Sequence, residues 1–242
     1  MPGAKQDIIE RLQREILPLQ GYKPVKGHVT DAGLGRIKFA FPGHIFPAGA
    51  IHELIGNSKE DMAASAGFTA AIVADLMKRG AVALWVSAAR TIFPPALHPF
   101  GIPPEKIIFI DCKNERQVAW TLEEALKCEG LAAVIGELRE INFTMSRRLQ
   151  LAVERSRVTG FILRNNPRAL NTTASVARWK VTSLPGEHMY NMPGVAHPRW
   201  NVELLKIRSG KPGSWQLEYV DGKFRHIMMP VVPAVIERKK TG

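Results

Sequence analysis

The chain has 242 residues, with 33 Lys and Arg against 22 Asp and Glu, for a formal charge of +11. That length suits one large domain with a single core, and 45% hydrophobic residues exclude a disordered chain. No apolar run reaches the ~18 residues of a membrane span, and the two cysteines, Cys112 and Cys128, supply neither a disulfide framework nor a four-ligand zinc site. No apolar signal core follows Met1, so a cytoplasmic protein is expected, and the positive surplus fits a polyanionic partner.

The first expected element is a short amphipathic helix over 7–17, with Ile8, Leu12 and Ile16 four apart. Pro18 and Gly21 end it, and the Gly- and Pro-rich chain to Gly49 reads as irregular connection. From 50 to 163, short apolar bursts alternate with helical patterns. The bursts lie at 51–55, 82–86, 107–110, 133–135 and 161–163; the helices fall at 63–78, 115–127 and 144–157. Asn114 and Gln117 form a capping pair for the second helix. This alternation predicts buried parallel strands in an α/β sheet. After Arg168 the pattern changes to strands at 175–182, 201–208, 215–220 and 223–229 with no helix between them. Asp221-Gly222 marks a hairpin between the last two. A long loop runs over 185–198. The expected organisation is an arm over 1–26, a core over 27–229 and a basic tail over 230–242.

The turn after the first burst stands where a phosphate loop, G-x-x-x-x-G-K-[ST], belongs. It begins at Gly56, but Asp61, Met62 and Ala63 replace the second Gly, the Lys and the hydroxyl residue. A carboxylate there repels phosphate, Met carries no charge, and Lys59 lies three positions early. Glu137 follows the burst at 132–136, at the strand end where an ATPase keeps its magnesium-linked acid, the Walker B position. Without a phosphate loop it reads as a structural or solvated acid. His52-Glu53 opens like H-E-x-x-H, but Gly56 breaks the zinc pattern. No catalytic residue, metal or cofactor is expected.

The charge is uneven. Between Ser146 and Lys180 stand Arg147, Arg148, Arg155, Arg157, Arg164, Arg168, Arg178 and Lys180, opposed only by Glu154. Arginine forks suit phosphate oxygens, and Asn165, Asn166, Asn171, Thr172 and Thr173 add uncharged donors. Arg147, Arg148, Arg164, Arg168, Arg178 and Lys180 are therefore the expected contacts to a nucleic-acid backbone. That binding would be neutral to sequence.

The order of features resembles the recombinase RecA: an N-terminal helix, a Gly-rich approach, a strand meeting the phosphate-loop position, and antiparallel strands closing the core. Thr159-Gly160-Phe161-Ile162-Leu163-Arg164 resembles the strand before RecA's second DNA loop. More specifically, the chain is similar to the ImuA family of RecA-like proteins in bacterial damage-induced mutagenesis. Leu84-Trp85-Val86-Ser87, Phe93-Pro94-Pro95-Ala96-Leu97, the run from Phe143 to Glu154, Pro198-Arg199-Trp200-Asn201 and Gly213-Ser214-Trp215-Gln216 carry that similarity. The resemblance implies a RecA-like core without a working phosphate loop and an accessory role in SOS translesion synthesis. It also implies partners: ImuB, an inactive Y-family polymerase homologue; an error-prone replicative-type polymerase; and RecA itself. The Ile8/Leu12/Ile16 helix is the expected partner-binding arm. The competing expectations are a SulA-type division inhibitor, which would cause filamentation without mutagenesis, and a RecA/RadA-type ATPase, which would bind magnesium-ATP.

Overall fold

A computed structural model describes residues 32–79, 81–186 and 197–227. The arm with Ile8, Leu12 and Ile16, the tail over 230–242 and most of the 185–198 loop lie outside these residues. Five strands, β1 (Ile51–Gly56), β2 (Val82–Ser87), β3 (Ile107–Asp111), β4 (Leu131–Glu137) and β5 (Thr159–Asn165), pair in parallel. Four more follow: β6 (Ala177–Ser183), β7 (Arg199–Ile207), β8 (Gly213–Val220) and β9 (Lys223–His226). β6 runs parallel to β1, and the last three strands join antiparallel, giving one sheet in the order β3-β2-β4-β5-β1-β6-β7-β8-β9.

Three helices connect the parallel strands: α1 (Lys59–Leu76), α2 (Glu115–Ala125) and α3 (Phe143–Ser156). Each begins on a side-chain cap. Ser58, Asn114 and Asn142 accept the backbone N–H groups of Asp61, Gln117 and Met145, which satisfies donors that lack an intrahelical partner. Two layers of core result. α1 and the strand-rich half enclose Phe68, Trp85, Trp179 and Trp200 on one face, while α2 and α3 cover Val118, Leu122, Leu149 and Val153 on the other. β1 lies between both layers and is buried at all six positions, His52 and Glu53 included.

Three expectations need adjustment. The first helix starts at Lys59, not at 63, because Ser58 caps it early. The connection before Gly49 is not wholly irregular: it contains short 3-10 turns at Gly35–Ala40 and Pro42–His44. β9 is short, ending at His226. The Asp221-Gly222 hairpin forms as expected, with φ of +51° and +73°, the left-handed pair that a tight turn between twisted strands requires.

Candidate functional site

The turn after β1 is the place where a RecA-like fold would hold a nucleotide. Here it is two residues long: Asn57 and Ser58 separate Gly56 from the first residue of α1. Ser58 Oγ accepts the Asp61 N–H at 3.1 Å, and Asp61 Oδ2 accepts the Asn57 N–H at 3.0 Å. The chain's own oxygens thus take one amide of the helix start, that of Asp61, and the Asn57 amide just before it. The Glu60 carboxyl is held below its usual range by its own backbone N–H and by Ser58, so a second carboxylate stands at the same positive helix end. The helix also backs tightly onto the strand. A Cβ on Gly56 would lie 2.8 Å from Met62 Sδ and 3.0 Å from Asp61 Cβ, so Gly56 serves close approach of strand and helix. Lys59 and Ala63 are exposed on the first turn of α1.

Glu137, at the end of β4, is engaged by protein donors. It accepts the Trp85 indole N–H at 2.8 Å and the Thr91 hydroxyl at 2.9 and 3.0 Å. Its role in this structure is to tie the loop after β2 to β4.

A buried ionic cluster surrounds Glu53 in the middle of β1. Arg164 Nη1 lies 3.3 Å from Oε2, and Arg178 reaches the same oxygen through Nε at 3.2 Å and Nη2 at 3.1 Å. The hydroxyls of Thr173 and Ser175 donate to Oε1. The same arginines hold the 166–176 segment. Arg164 donates to the carbonyl oxygens of Arg139 and Ala169, and Arg178 to that of Asn171 at 2.7 Å. Lys206 Nζ donates to the Thr173 carbonyl at 2.8 Å; burial and the neighbouring Arg178 push its ammonium below the usual lysine range. Arg139 and Glu140 fix the near end of the segment through Asn166 O and the Arg168 N–H. Segment 166–176 is therefore pinned to the core along its length.

This corrects two expectations. Arg164 is fully buried with its fork spent on Glu53, Glu140 and the Arg139 and Ala169 carbonyls, so it presents nothing to a nucleic-acid backbone. Arg178 is 11% exposed in its side chain and is consumed by the same carboxylate and two loop oxygens. The physical reason is that a carboxylate taken out of water needs matched cations and hydroxyl donors. The sequence reading passed over Glu53, weighing it only as part of a failed zinc motif. The signal was present: an acid inside an otherwise apolar strand must be paired.

The rest of the basic set separates by position. Arg147 and Arg148 stand exposed on the outer side of α3, where Arg148 Nη2 meets Glu123 of α2 at 2.5 Å. Arg168 is exposed on the pinned segment. Lys180 lies 3.7 Å from Glu203 on β7. His52 belongs to the core. Its Nε2 donates to the Pro47 carbonyl oxygen at 2.9 Å, Nδ1 accepts the Trp179 indole N–H at 3.3 Å, and the ring stacks on Phe46. Burial pushes its pKa down to about 4, against the smaller opposing pull of that carbonyl, so it stays neutral. Among the described residues no group of three or more His, Cys, Asp or Glu could hold a metal ion, and no helix is long and apolar enough to cross a membrane.

No family model matches the chain. The fold is similar to that of the RadB recombinase crystal structure, with a TM-score of 0.56 over 83% of this chain and 100% of that one. The identity is 11%, so this likeness establishes the RecA-like architecture alone. The chain is also 33% identical over 202 residues to Protein ImuA of Caulobacter vibrioides strain NA1000 / CB15N, covering 78% of this chain and 83% of that protein. Protein ImuA of strain ATCC 19089 / CIP 103742 / CB 15 matches to the same extent. A RecA-like sheet with Asp61 closing the turn after β1, joined to one-third identity across most of both sequences, makes this chain a member of the ImuA family.

Proposed function

We propose that this chain is an accessory protein of damage-induced mutagenesis, supporting error-prone polymerases in SOS translesion synthesis by binding and not by hydrolysing a nucleotide. Its partners on this reading are an ImuB-type Y-family polymerase homologue, an error-prone replicative-type polymerase and RecA. The observation that carries the reading is the turn after β1. An ATPase opens a ring of free N–H groups toward phosphate at this point, whereas here the Asp61 carboxylate takes the Asn57 N–H and the helix begins two residues after the strand. The ImuA relatives supply the mutagenesis context.

The nucleic-acid part of the role contracts to the exposed cations. Arg168 on its pinned segment is the principal backbone contact; Arg147, with no ion pair among the described residues, comes next, and Lys180 beside Glu203 and Arg148 held by Glu123 are less available. A pinned segment presents one fixed phosphate-facing surface; it does not fold around a strand.

Nucleotide titration tests the central point. With the full-length protein and magnesium-ATP followed by calorimetry, no saturable binding is expected up to millimolar nucleotide. A saturable, magnesium-dependent isotherm would overturn the non-hydrolytic accessory reading.

A further inference from the structure

α3 turns an evenly spaced row of side chains to solvent: Phe143, Arg147, Leu151 and Arg155, each four positions after the last. Phe143 is 56% and Leu151 44% exposed. The opposite side of the helix, through Leu149, Ala152 and Val153, is fully committed to the core, so folding does not account for the outer row. Trp120 of α2, 65% exposed, lies one turn before Glu123, the residue that meets Arg148 of α3. These two neighbouring helices thus carry three of the eight large apolar side chains left exposed among the described residues. The charges in the row are equally unspent. Neither Arg147 nor Arg155 has an ion pair or side-chain hydrogen bond among the described residues, while the adjacent Arg148 is held by Glu123.

We infer that this face docks an acidic amphipathic segment of a partner protein. Its apolar side chains lie against Phe143, Leu151 and Trp120, and its carboxylates meet Arg147 and Arg155. Aromatic residues and arginine side by side are the composition of an interface centre, and contiguous exposed apolar groups mark protein contacts. Charge selects the occupant. A second copy would set Arg147 and Arg155 against their own equivalents on a chain of +11. A nucleic-acid strand would use the arginines and could stack on Phe143. But Leu151, standing between the two arginines, offers a base no ring face. An acidic helix with apolar residues at matching spacing satisfies every member of the row. The inference rests on the accessory reading in taking the partner to be a protein; the surface itself does not depend on the turn after β1.

The probe is a fluorescein-labelled peptide of about 18 residues, with Leu at helical i, i+4 and i+7 spacing and Asp and Glu on its flanks. It is titrated onto the full chain and followed by fluorescence polarisation. Saturable binding is expected, weakened about tenfold by Leu151→Asp and by Arg147→Glu, a tenfold change being 1.4 kcal/mol. Replacing the peptide's acids with Lys is expected to abolish binding. An oligo-dT probe is expected to bind wild type and Leu151→Asp alike. Circular dichroism melts confirm that both variants keep the wild-type midpoint, as exposed positions should. Absence of peptide binding, equal peptide binding in the variants, or loss of oligo-dT binding with peptide binding intact would each overturn the assignment; the last would give this face to nucleic acid. Failure here leaves the nucleotide titration unaffected. Saturable ATP binding would strike the accessory reading while peptide binding still stood.

Discussion

Arg164 and Arg178 close on Glu53 inside the sheet, whereas Arg147 and Arg155, from the same basic stretch of sequence, stand on the outer face of α3 with no acid to meet among the described residues. Along the chain the four look alike. In space, two compensate a buried carboxylate and hold a loop, and two have no partner among the described residues. Charge counted in sequence is therefore not charge at the surface. The acid that neutralises the first pair comes from β1, 111 and 125 positions away, beyond the reach of any local count. What remains outside is a smaller, better defined basic surface whose arginines alternate with exposed Phe143 and Leu151.

The interior half of this contrast is most severely tested by Glu53→Ala. The substitution leaves Arg178 with no acid among the described residues, leaves the fully buried Arg164 with only the partly exposed Glu140 at 3.6 Å, and strands the hydroxyls of Thr173 and Ser175. Removing one partner of a buried ion pair costs about 3–5 kcal/mol, a large share of the ~5–15 kcal/mol that stabilises a domain. Urea unfolding is expected to show that loss, with the 166–176 segment becoming susceptible to protease before the sheet unfolds. A change below ~1 kcal/mol would rank the cluster with exposed ion pairs and erase the distinction between the two pairs of arginines.

His52, next to Glu53 in β1, gives the second test. The two side chains point to opposite faces of the sheet, and both are completely buried, but the histidine is kept neutral. Its pKa falls from 6.5 in the unfolded chain to about 4 in the folded one. The unfolded chain therefore binds a proton that the folded one refuses. The stability is fully present above pH 6.5 and is lost progressively as pH falls toward 4, by about 3 kcal/mol in all. Denaturation curves collected from pH 7 to pH 4 on wild type and on His52→Phe isolate this group from the carboxylates that titrate nearby. The gap between the two proteins is expected to shift by that amount in favour of the variant. A gap independent of pH would mean that His52 titrates normally.

Much of the architecture was legible. The apolar bursts marked β1 to β5 because strands buried on both faces have no polar side to alternate with, and Asn114 with Gln117 marked the start of α2. The early start of α1 was written in Ser58 and Asp61, a cap and its reciprocal acid. Reading the same letters as a damaged phosphate loop concealed a capped helix N-terminus. The site was less legible because its key interactions are long-range. Asp61 could be seen to disfavour phosphate; that its carboxylate takes the Asn57 N–H required the fold. Glu53 announced a buried charge, but only strand order could bring Arg164 of β5 and Arg178 of β6 to either side of it. Conversely, Phe143, Arg147, Leu151 and Arg155 have helical spacing that sequence alone displays; their exposure together is what gives that spacing a meaning.

The exterior half of the contrast carries the smallest effect on stability and for that reason the sharpest prediction. Arg147→Ala combined with Arg155→Ala is expected to change the unfolding free energy by no more than ~0.5 kcal/mol, the range of surface substitutions without structural partners. Most of that small loss belongs to Arg155, whose charge lies in the last turn of α3 and favours the negative helix end. Arg147 lies a turn inside the helix, is exposed and compensates no acid among the described residues, so its own contribution is near zero. Arg164→Ala, measured in the same urea series, is expected to cost several kcal/mol because it uncovers Glu53 and releases the carbonyl oxygens of Arg139 and Ala169. The two measurements together separate arginines that build the protein from arginines available to a partner. If the α3 double variant lost more than ~1 kcal/mol, its arginines would be part of the fold's own electrostatics, and the case for holding them in reserve for an acidic segment would fail with it.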